Sequence, residues 1–154
     1  LFLFMAYVYK YPRPALTVDA VVFCREHTDL YVLLIERARP PFQGTWALPG
    51  GFVDIDESLD DAVARELKEE TGVEDIDLKQ FYTFGTPGRD PRHRTVSVAY
   101  YGERDCMKGL HAGDDAGKAA WFHINDLPPL AFDHKDIVLM AYNRYRKDKD
   151  DSSR

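Results

Sequence analysis

The stretch GFVDIDESLDDAVARELKEETGV, from Gly51 to Val73, decides how this chain is interpreted. Glu66, Glu69 and Glu70 lie at positions i, i+3 and i+4, so a helix would project three carboxylates from one face within a single turn. Like charges at this spacing destabilise a helix by roughly 0.2–0.5 kcal/mol per pair unless water or a cation neutralises them. Because hard cations prefer oxygen ligands, the cluster predicts a site for Mg²⁺ or Mn²⁺.

The residues around the acidic cluster predict where the helix begins and ends. Ser58 is placed as an N-cap, with Asp61 three residues later, and Gly72 suits the position just after a helix. We therefore expect a helix over residues 59–71. Its apolar stripe comprises Leu59, Ala62, Val63 and Leu67.

A tight turn is predicted directly before this helix. Pro49-Gly50-Gly51 combines residues that favour turns, and glycine permits a close approach of the backbone to a ligand. A backbone carbonyl of Gly50 or Gly51 could therefore complete the coordination shell of the cation. An acidic helix face with ordinary salt bridges is the alternative, but it does not account for this turn or for Glu57 just before the N-cap.

The spacing of these residues matches a known signature. The pattern G-x5-E-x7-R-E-L-x-E-E-x-G-V is met at Gly51, Glu57, Arg65, Glu66, Leu67, Glu69, Glu70, Gly72 and Val73. The stretch resembles the signature of the Nudix hydrolase family. The resemblance implies that Glu66, Glu69 and Glu70 bind Mg²⁺. It also implies that Arg65 and Glu57 form an ion pair that orients the cluster.

The general base that would activate water has several candidates. Glu70, within the acidic cluster, is the first choice. Members of the family also recruit an acid from a loop after the fourth or fifth strand, so Glu103, Asp114 and Asp115 are alternatives. A base must reach the attacking water by a hydrogen bond, and that reach depends on the fold.

The rest of the chain predicts a mixed sheet between two helices. Segments rich in β-branched and aromatic residues predict strands at 15–23, 30–37, 76–84, 95–103 and 119–124, with a possible short strand at 45–48. A last helix is expected from an N-cap at residue 133 to about residue 147, burying Ile137, Met140, Ala141 and Tyr145. This order favours an α/β fold. Nudix domains are α/β/α sandwiches, so the pattern and the resemblance agree.

The length of 154 residues corresponds to one domain, which we place at 15–148. An N-terminal extension at 1–14 precedes it and a disordered tail at 149–154 follows it. Met5 could be the natural start, and residues 1–4 would then be an upstream extension; a short strand or a dimer contact is the other interpretation. No signal peptide or membrane span is expected, because a positive n-region and a long apolar run are both missing.

The charge and the two cysteines bear on partners and location. The net charge of −6 argues against a nucleic-acid-binding surface, which needs a basic footprint. Cys24 and Cys106 lack metal-site spacing and are too few for a disulfide scaffold, so each is expected to be a small core residue. We therefore expect a cytoplasmic protein that binds neither nucleic acid nor membrane.

A second resemblance concerns the substrate. The segments TWALPGGFV, TFGTPGRDPR, GDDA and LAFDH resemble the ADP-ribose pyrophosphatase branch of the Nudix family. Arg89 and Arg92 could clamp a diphosphate or a terminal ribose phosphate, because guanidinium groups match phosphate oxygens. Anchoring a loop through Asp90 is the alternative role. Asp115 is a further predicted substrate contact.

Three aromatic residues are candidates to stack on an adenine ring, although aromatic residues more often belong to a core. Phe132 is the first choice, with Trp46 and Phe42 as alternatives. The favoured hypothesis is Mg²⁺-dependent hydrolysis of a nucleotide, ADP-ribose, to AMP and ribose 5-phosphate by a homodimer. A house-cleaning nucleoside triphosphate pyrophosphohydrolase is the alternative, and a non-catalytic ADP-ribose-sensing regulator ranks third.

Overall fold

A computed structural model describes residues 6–106 and 116–154 of the chain. Its strands are β1 (Ala15–Glu26), β2 (Asp29–Arg37), β3 (Trp46–Ala47), β4 (Gly50–Phe52), β5 (Lys79–Phe84), β6 (Thr95–Glu103) and β7 (Ala116–His123). Its helices are α1 (Leu59–Thr71) and α2 (His134–Ser152). The expectations for residues 1–5, for Asp114 and for Asp115 lie outside the described residues.

The strands form one mixed sheet, as the sequence predicts. Neighbouring strands follow the order β3-β2-β1-β6-β5, while β4 also pairs with β1 and β7 also pairs with β2. The central strands β1 and β6 are parallel, from Ala15 opposite Thr95 to Phe23 opposite Glu103. The other pairings of described strands are antiparallel. Strand β1 therefore lies in the middle of the sheet.

The two helices lie on opposite faces of this sheet. Val21 of β1 packs in one apolar cluster with Ile137 of α2. The next residue, Val22, packs in a second cluster with Leu67 of α1. Because successive strand residues point to opposite faces, this division confirms the predicted α/β/α sandwich. Within residues 6–106 and 116–154, no helix is long and apolar enough to cross a membrane.

Helix α1 has the predicted bounds and caps. The Ser58 hydroxyl oxygen accepts a hydrogen bond from the Asp61 amide at 3.1 Å and so caps the first turn. Gly72 ends the helix with a φ of 78°, a conformation that glycine adopts without steric cost. The predicted apolar stripe faces the sheet, with Ala62, Val63 and Leu67 buried and Leu59 half-buried.

The tight turn predicted at Pro49-Gly50-Gly51 is wrong, because Gly50 and Gly51 belong to strand β4. Gly51 lies opposite Val18 of β1. A Cβ on Gly50 would lie 2.2 Å from the Val18 carbonyl oxygen, and a Cβ on Gly51 would lie 2.5 Å from a Glu66 carboxylate oxygen. Glycine is therefore needed at position 50 for close approach to the β1 backbone, while a side chain at position 51 would displace the Glu66 carboxylate of α1.

Helix α2 extends through Ser152, so most of the predicted disordered tail at 149–154 is helical. Lys149 forms an ion pair with Glu103 of β6 at 2.7 Å, which ties the last turns to the sheet. Met140 is 37% exposed, and its predicted burial is wrong. The buried stripe of α2 instead consists of His134, Ile137, Val138, Ala141 and Tyr145, and residue 140 falls outside this spacing.

Cys24 and Cys106 form a disulfide, which corrects the expectation of two separate core thiols. Cys24 is fully buried near the end of β1, and Cys106 follows the parallel neighbour β6. The parallel pairing thus brings together two residues that are 82 positions apart in sequence. Sequence spacing alone does not reveal that proximity.

Candidate active site

A cavity of about 340 Å³ lies beside β4 and α1 and extends to the loop after β5 and the start of α2. Its charged lining consists of Asp19, Glu66, Glu70, Asp90, Arg37, Arg89 and Arg92. Gly50, Gly51, Phe52, Phe132 and His134 also line it. The acids of α1 and the predicted arginine loop therefore meet in one cavity.

Glu70 is the cluster acid most affected by its surroundings. Its Oε1 accepts a hydrogen bond from the Gly50 amide at 2.8 Å. Burial raises the pKa of Glu70 to about 8, and the negative charges of Glu66, Asp19 and Glu69 act in the same direction. Burial also raises the pKa of Glu66, although its hydrogen bond from Arg65 acts in the opposite direction. A bound cation would favour the charged form of both acids.

Arg65 connects the acids on the helix surface. Its guanidinium donates to both carboxylate oxygens of Glu57, from Nε at 2.9 Å and from a terminal nitrogen at 2.6 Å. The other terminal nitrogen donates to Glu66 at 2.9 Å and to Glu69 at 3.3 Å. The hydrogen bonds from Arg65 lower the pKa of Glu57 to about 2. The Arg65–Glu57 ion pair that the family resemblance implies is thus present, and it also restrains Glu66.

The donors around the cavity fit a hard divalent cation. Glu66 and Glu70 supply carboxylate oxygens, and the Gly51 backbone lies so close to Glu66 that a Cβ at position 51 would displace its carboxylate. Glu69, the third predicted ligand, has a side chain that is 58% exposed and does not line the cavity. Among the described residues, no three His, Cys, Asp or Glu side chains are already gathered as a metal site. A cation would have to draw these side chains together.

A buried polar network that sequence reasoning missed adjoins the acids. Nδ1 of His134 accepts a hydrogen bond from the Leu48 amide at 2.9 Å, and its Nε2 lies 3.6 Å from a carboxylate oxygen of Asp19. The Ser97 hydroxyl donates to the other oxygen of Asp19. The available signal was a lone acid, Asp19, in the apolar strand sequence ALTVDAVVF.

His134 predicts a pH dependence of stability. Burial lowers the pKa of His134; Asp19 and Asp133 oppose this effect, while Arg89 and Arg37 add to it. The unfolded chain then binds a proton at this residue that the folded chain does not, so the contribution of His134 to the free energy of unfolding should fall as the pH drops below about 6.5. The contribution of Glu70, whose pKa is raised, has the opposite sign. The His134 contribution should have a slope of at most about 1.4 kcal/mol per pH unit.

Denaturant titrations across this pH range would measure that slope. The variant His134→Asn keeps a hydrogen-bond acceptor but no group that titrates there, so the slope of its free energy of unfolding against pH should be lower than that of the wild type by the His134 contribution. An identical slope in the variant and the wild type would contradict the prediction.

The two predicted substrate arginines line the cavity but are held by carboxylates. Arg89 donates two hydrogen bonds to Asp133, at 2.8 and 2.7 Å, and its side chain is only 6% exposed. Arg92 donates to both oxygens of Asp90, at 3.1 and 2.8 Å, which is the loop-anchoring role. Any contact of these arginines with a substrate would use their remaining donors.

Arg37, at the end of β2, is a further arginine of the cavity that sequence reasoning missed. Among the described residues its guanidinium donates one hydrogen bond, from Nε to the Pro41 carbonyl at 2.8 Å, and forms no ion pair. Burial and the positive charge of Arg92 lower the pKa of Arg37. Its charge is therefore less compensated than that of Arg89 or Arg92.

The three aromatic candidates differ in their position relative to the cavity. Phe132 lines the cavity, whereas Trp46 and Phe42 do not. Trp46 packs edge-on against Phe122 of β7, with ring centres 4.7 Å apart, and Phe42 packs against Phe132 at 4.9 Å. Phe132 is therefore the aromatic candidate that the fold places beside the acids and arginines of the cavity, and base stacking by any of the three residues stays a prediction.

Glu103, an alternative for the general base, lies away from the cavity. It ends β6 and pairs with Lys149 near the end of α2. It does not line the cavity, so it is not placed to activate water there. Glu70 does line the cavity, and the alternatives Asp114 and Asp115 stay predictions because they lie outside the described residues.

The fold and the cavity define a class of α/β/α sandwiches in which a carboxylate-bearing helix follows a glycine strand. A family model for the NUDIX domain matches residues 13–141, which is most of the chain. The chain belongs to the NUDIX domain family.

Two curated relatives extend this assignment. The chain is 43% identical over 129 residues to the ADP-ribose pyrophosphatase of Methanocaldococcus jannaschii, covering 83% of this chain and 73% of that protein. It is 35% identical over 138 residues to the ADPR responsive transcriptional repressor NtrR of Acinetobacter baylyi. That match covers 87% of this chain but only 55% of the repressor, so the chain spans about half of the repressor's length.

Solved structures agree with the fold. The NUDIX domain of Shewanella oneidensis NrtR complexed with ADP ribose has a TM-score of 0.82 and 36% identity, covering 88% of this chain and 90% of that chain. A MutT/nudix family protein from Enterococcus faecalis has a TM-score of 0.83 and 37% identity, covering 92% and 66% of the two chains.

Proposed function

We propose that this chain is a divalent-cation-dependent hydrolase that cleaves the diphosphate of ADP-ribose, giving AMP and ribose 5-phosphate. The observation that carries the proposal is one cavity lined by Glu66, Glu70 and three arginines. A diphosphate needs both a cation and positively charged side chains around it. The similarity to an archaeal ADP-ribose pyrophosphatase and to a NUDIX domain complexed with ADP ribose supports this choice of substrate.

The proposed cation is Mg²⁺ or Mn²⁺. Glu66, Glu69 and Glu70 would hold it, with a backbone carbonyl of Gly50 or Gly51 completing the shell. When bound, it would neutralise phosphate charge and make water more nucleophilic. This donor set consists of oxygen atoms only, which suits a hard cation.

The side chains of the cluster have separate proposed roles. Glu70 accepts the proton of the attacking water, since it lines the cavity and burial makes its carboxylate more basic. Arg65 and Glu57 orient the cluster through the hydrogen bonds that also reach Glu66. Phe132 stacks on the adenine ring.

The arginines are proposed to bind phosphate oxygens, with Arg37 as the principal contact beside Arg89 and Arg92, and Asp115 as a further substrate contact. Because charge-assisted hydrogen bonds contribute about 1.5–3 kcal/mol, Arg37→Gln should raise KM for ADP-ribose by about tenfold or more and leave kcat largely unchanged. Steady-state kinetics would measure this. Arg25→Gln is the matched control, since Arg25 does not line the cavity. Equal KM values for Arg37→Gln and the wild type would exclude this contact.

A substrate panel tests the proposed function. ADP-ribose, NADH, diadenosine polyphosphates and deoxynucleoside triphosphates would be incubated with the protein and Mg²⁺, and the products identified. AMP and ribose 5-phosphate from ADP-ribose are expected. Pyrophosphate from a deoxynucleoside triphosphate, without action on ADP-ribose, would favour the house-cleaning alternative. Binding of ADP-ribose without cleavage would favour a sensor, the class to which the Acinetobacter repressor belongs.

The proposed partners are a small nucleotide and a second copy of this chain. Exposed apolar residues near the N-terminus, Tyr7, Val8 and Tyr11, support a homodimer, which light scattering would detect. The net charge of −6 supports a protein that does not bind nucleic acid. A cytoplasmic location is proposed as well. Because disulfides are rare in the cytoplasm and Cys24 and Cys106 form one, ADP-ribose hydrolysis should be measured both with and without reductant.

A further inference from the structure

The short junction between β3 and β4 is held by side chains from both helices. The Leu48 amide donates to Nδ1 of His134 on α2 at 2.9 Å. The Pro49 carbonyl accepts a hydrogen bond from the backbone of β1 at 2.8 Å. The Gly50 amide donates to Glu70 on α1 at 2.8 Å. Three successive residues therefore have their backbone groups satisfied by three different elements.

His134 is oriented for this contact from its other side. Because Nδ1 accepts from the Leu48 amide, the neutral ring carries its proton on Nε2, which faces a carboxylate oxygen of Asp19 at 3.6 Å. The Ser97 hydroxyl holds the second oxygen of Asp19. His134, Asp19 and Ser97 are all buried. Burial lowers the pKa of His134, which keeps Nδ1 available as an acceptor.

The Leu48 amide depends on this acceptor. Leu48 is 2% exposed, and a buried N–H without a partner costs about 1–3 kcal/mol. An apolar side chain at position 134 could fill the same space, but it would leave this amide unpaired. The imidazole therefore fixes the orientation of the Leu48 peptide. Because Gly50 is only two residues further along the chain, the direction of its amide, which donates to Glu70, depends on that orientation.

We propose that His134 is a positioning residue, which acts through Leu48 to hold Gly50 and Glu70 in the arrangement that binds the cation. This inference rests on the proposed function of the cavity, because it assigns a role toward the same cation. His134 needs no contact with the cation or the substrate. His134 on α2 fixes the Leu48 amide, and the backbone from Leu48 to Gly50 in turn places the amide that holds Glu70 on α1.

The decisive variant is His134→Leu, which removes the acceptor and introduces an apolar side chain of similar size. Mn²⁺ affinity, measured by electron paramagnetic resonance, should weaken by about tenfold, and kcat for ADP-ribose should fall by about 10- to 100-fold with KM changed less than about threefold. His134→Asn retains an acceptor and should keep both values within about threefold of the wild type. Val138→Ala, a truncation of the buried face of α2, is the control for lost stability and should leave Mn²⁺ affinity unchanged.

The outcomes separate this inference from the proposed function. Wild-type Mn²⁺ affinity in folded His134→Leu, or an equal loss in His134→Leu and Val138→Ala, would overturn it. If His134→Leu does not fold, Ser97→Ala is compared instead; a weaker affinity for Mn²⁺ is expected, and an unchanged affinity would overturn the inference. Mn²⁺ binding that depends on His134 without ADP-ribose cleavage would support the inference and refute the proposed function.

Discussion

Glu70→Gln is expected to lower kcat for ADP-ribose hydrolysis by about 10²- to 10⁴-fold while the protein stays folded. Glutamine keeps a carbonyl oxygen for the Gly50 amide, so the hydrogen bond that anchors this side chain survives. It removes the negative charge that would bind the cation and the basic oxygen that would accept a proton. Burial opposes the charged form of Glu70, so the neutral amide should not lower the melting temperature.

The kcat of Glu70→Gln is compared with that of other Glu-to-Gln variants, two on α1 and one just after it. Glu66→Gln should also lose most activity, since Glu66 lines the cavity. Glu69→Gln should lose less, because its side chain is 58% exposed and outside the cavity lining. Glu74→Gln is the control, since Glu74 pairs with Lys68 at the surface, where both side chains are more than half exposed. Near-wild-type kcat in both Glu66→Gln and Glu70→Gln would remove the proposed mechanism.

Among the proposed variants, Asp133→Ala is expected to lose the most stability. It removes the carboxylate that pairs with the guanidinium of Arg89, and the Arg89 side chain is only 6% exposed, so its charge would stay buried without a partner. Removing one partner of a buried ion pair costs about 3–5 kcal/mol, because the other charge stays buried and uncompensated. Since the Asp133 side chain is 22% exposed, we expect the lower end, about 3 kcal/mol. At roughly 2–4 °C per kcal/mol for a chain of this size, the melting temperature should fall by about 10 °C.

Two further variants identify the cause of that loss. Asp136→Ala removes an exposed acid from the first turn of the same helix, and it should cost less than about 1 kcal/mol through the helix dipole. Removing both charges, in Arg89→Leu with Asp133→Ala, should recover part of the lost stability. Scanning calorimetry would measure all three proteins. A melting temperature for Asp133→Ala close to that of Asp136→Ala would contradict a buried ion pair.

The sequence was sufficient wherever the decisive contacts are local. Helix α1 begins and ends where its pattern predicts, since Ser58 reaches the Asp61 amide only three residues away and Gly72 follows the last turn directly. The acids Glu66 and Glu70 are separated by one turn, so their spacing alone places them on the same face. Arg65 reaches Glu57 over eight residues, and here the family resemblance provided the pairing.

The sequence could not predict what depends on sheet register and helix docking. Arg89 is 44 positions from Asp133, and Cys24 is 82 positions from Cys106. A single sequence contains no local pattern that links such residues. The strand character of Gly50 was missed for a related reason, because its need for glycine comes from the nearby β1 backbone and not from its own neighbours in the chain.

The sequence by itself therefore determined the family, the α/β/α architecture and the acidic face of α1, because those depend on short-range periodicity and spacing. Only the tertiary structure decided which arginine of the cavity lacks a carboxylate partner among the described residues and which buried groups hold the glycine strand. Arg37 belongs to β2, and His134 belongs to α2, yet both line the same cavity as Glu70. Packing of the two helices against the sheet brings these residues together, and that packing is a property of the folded chain.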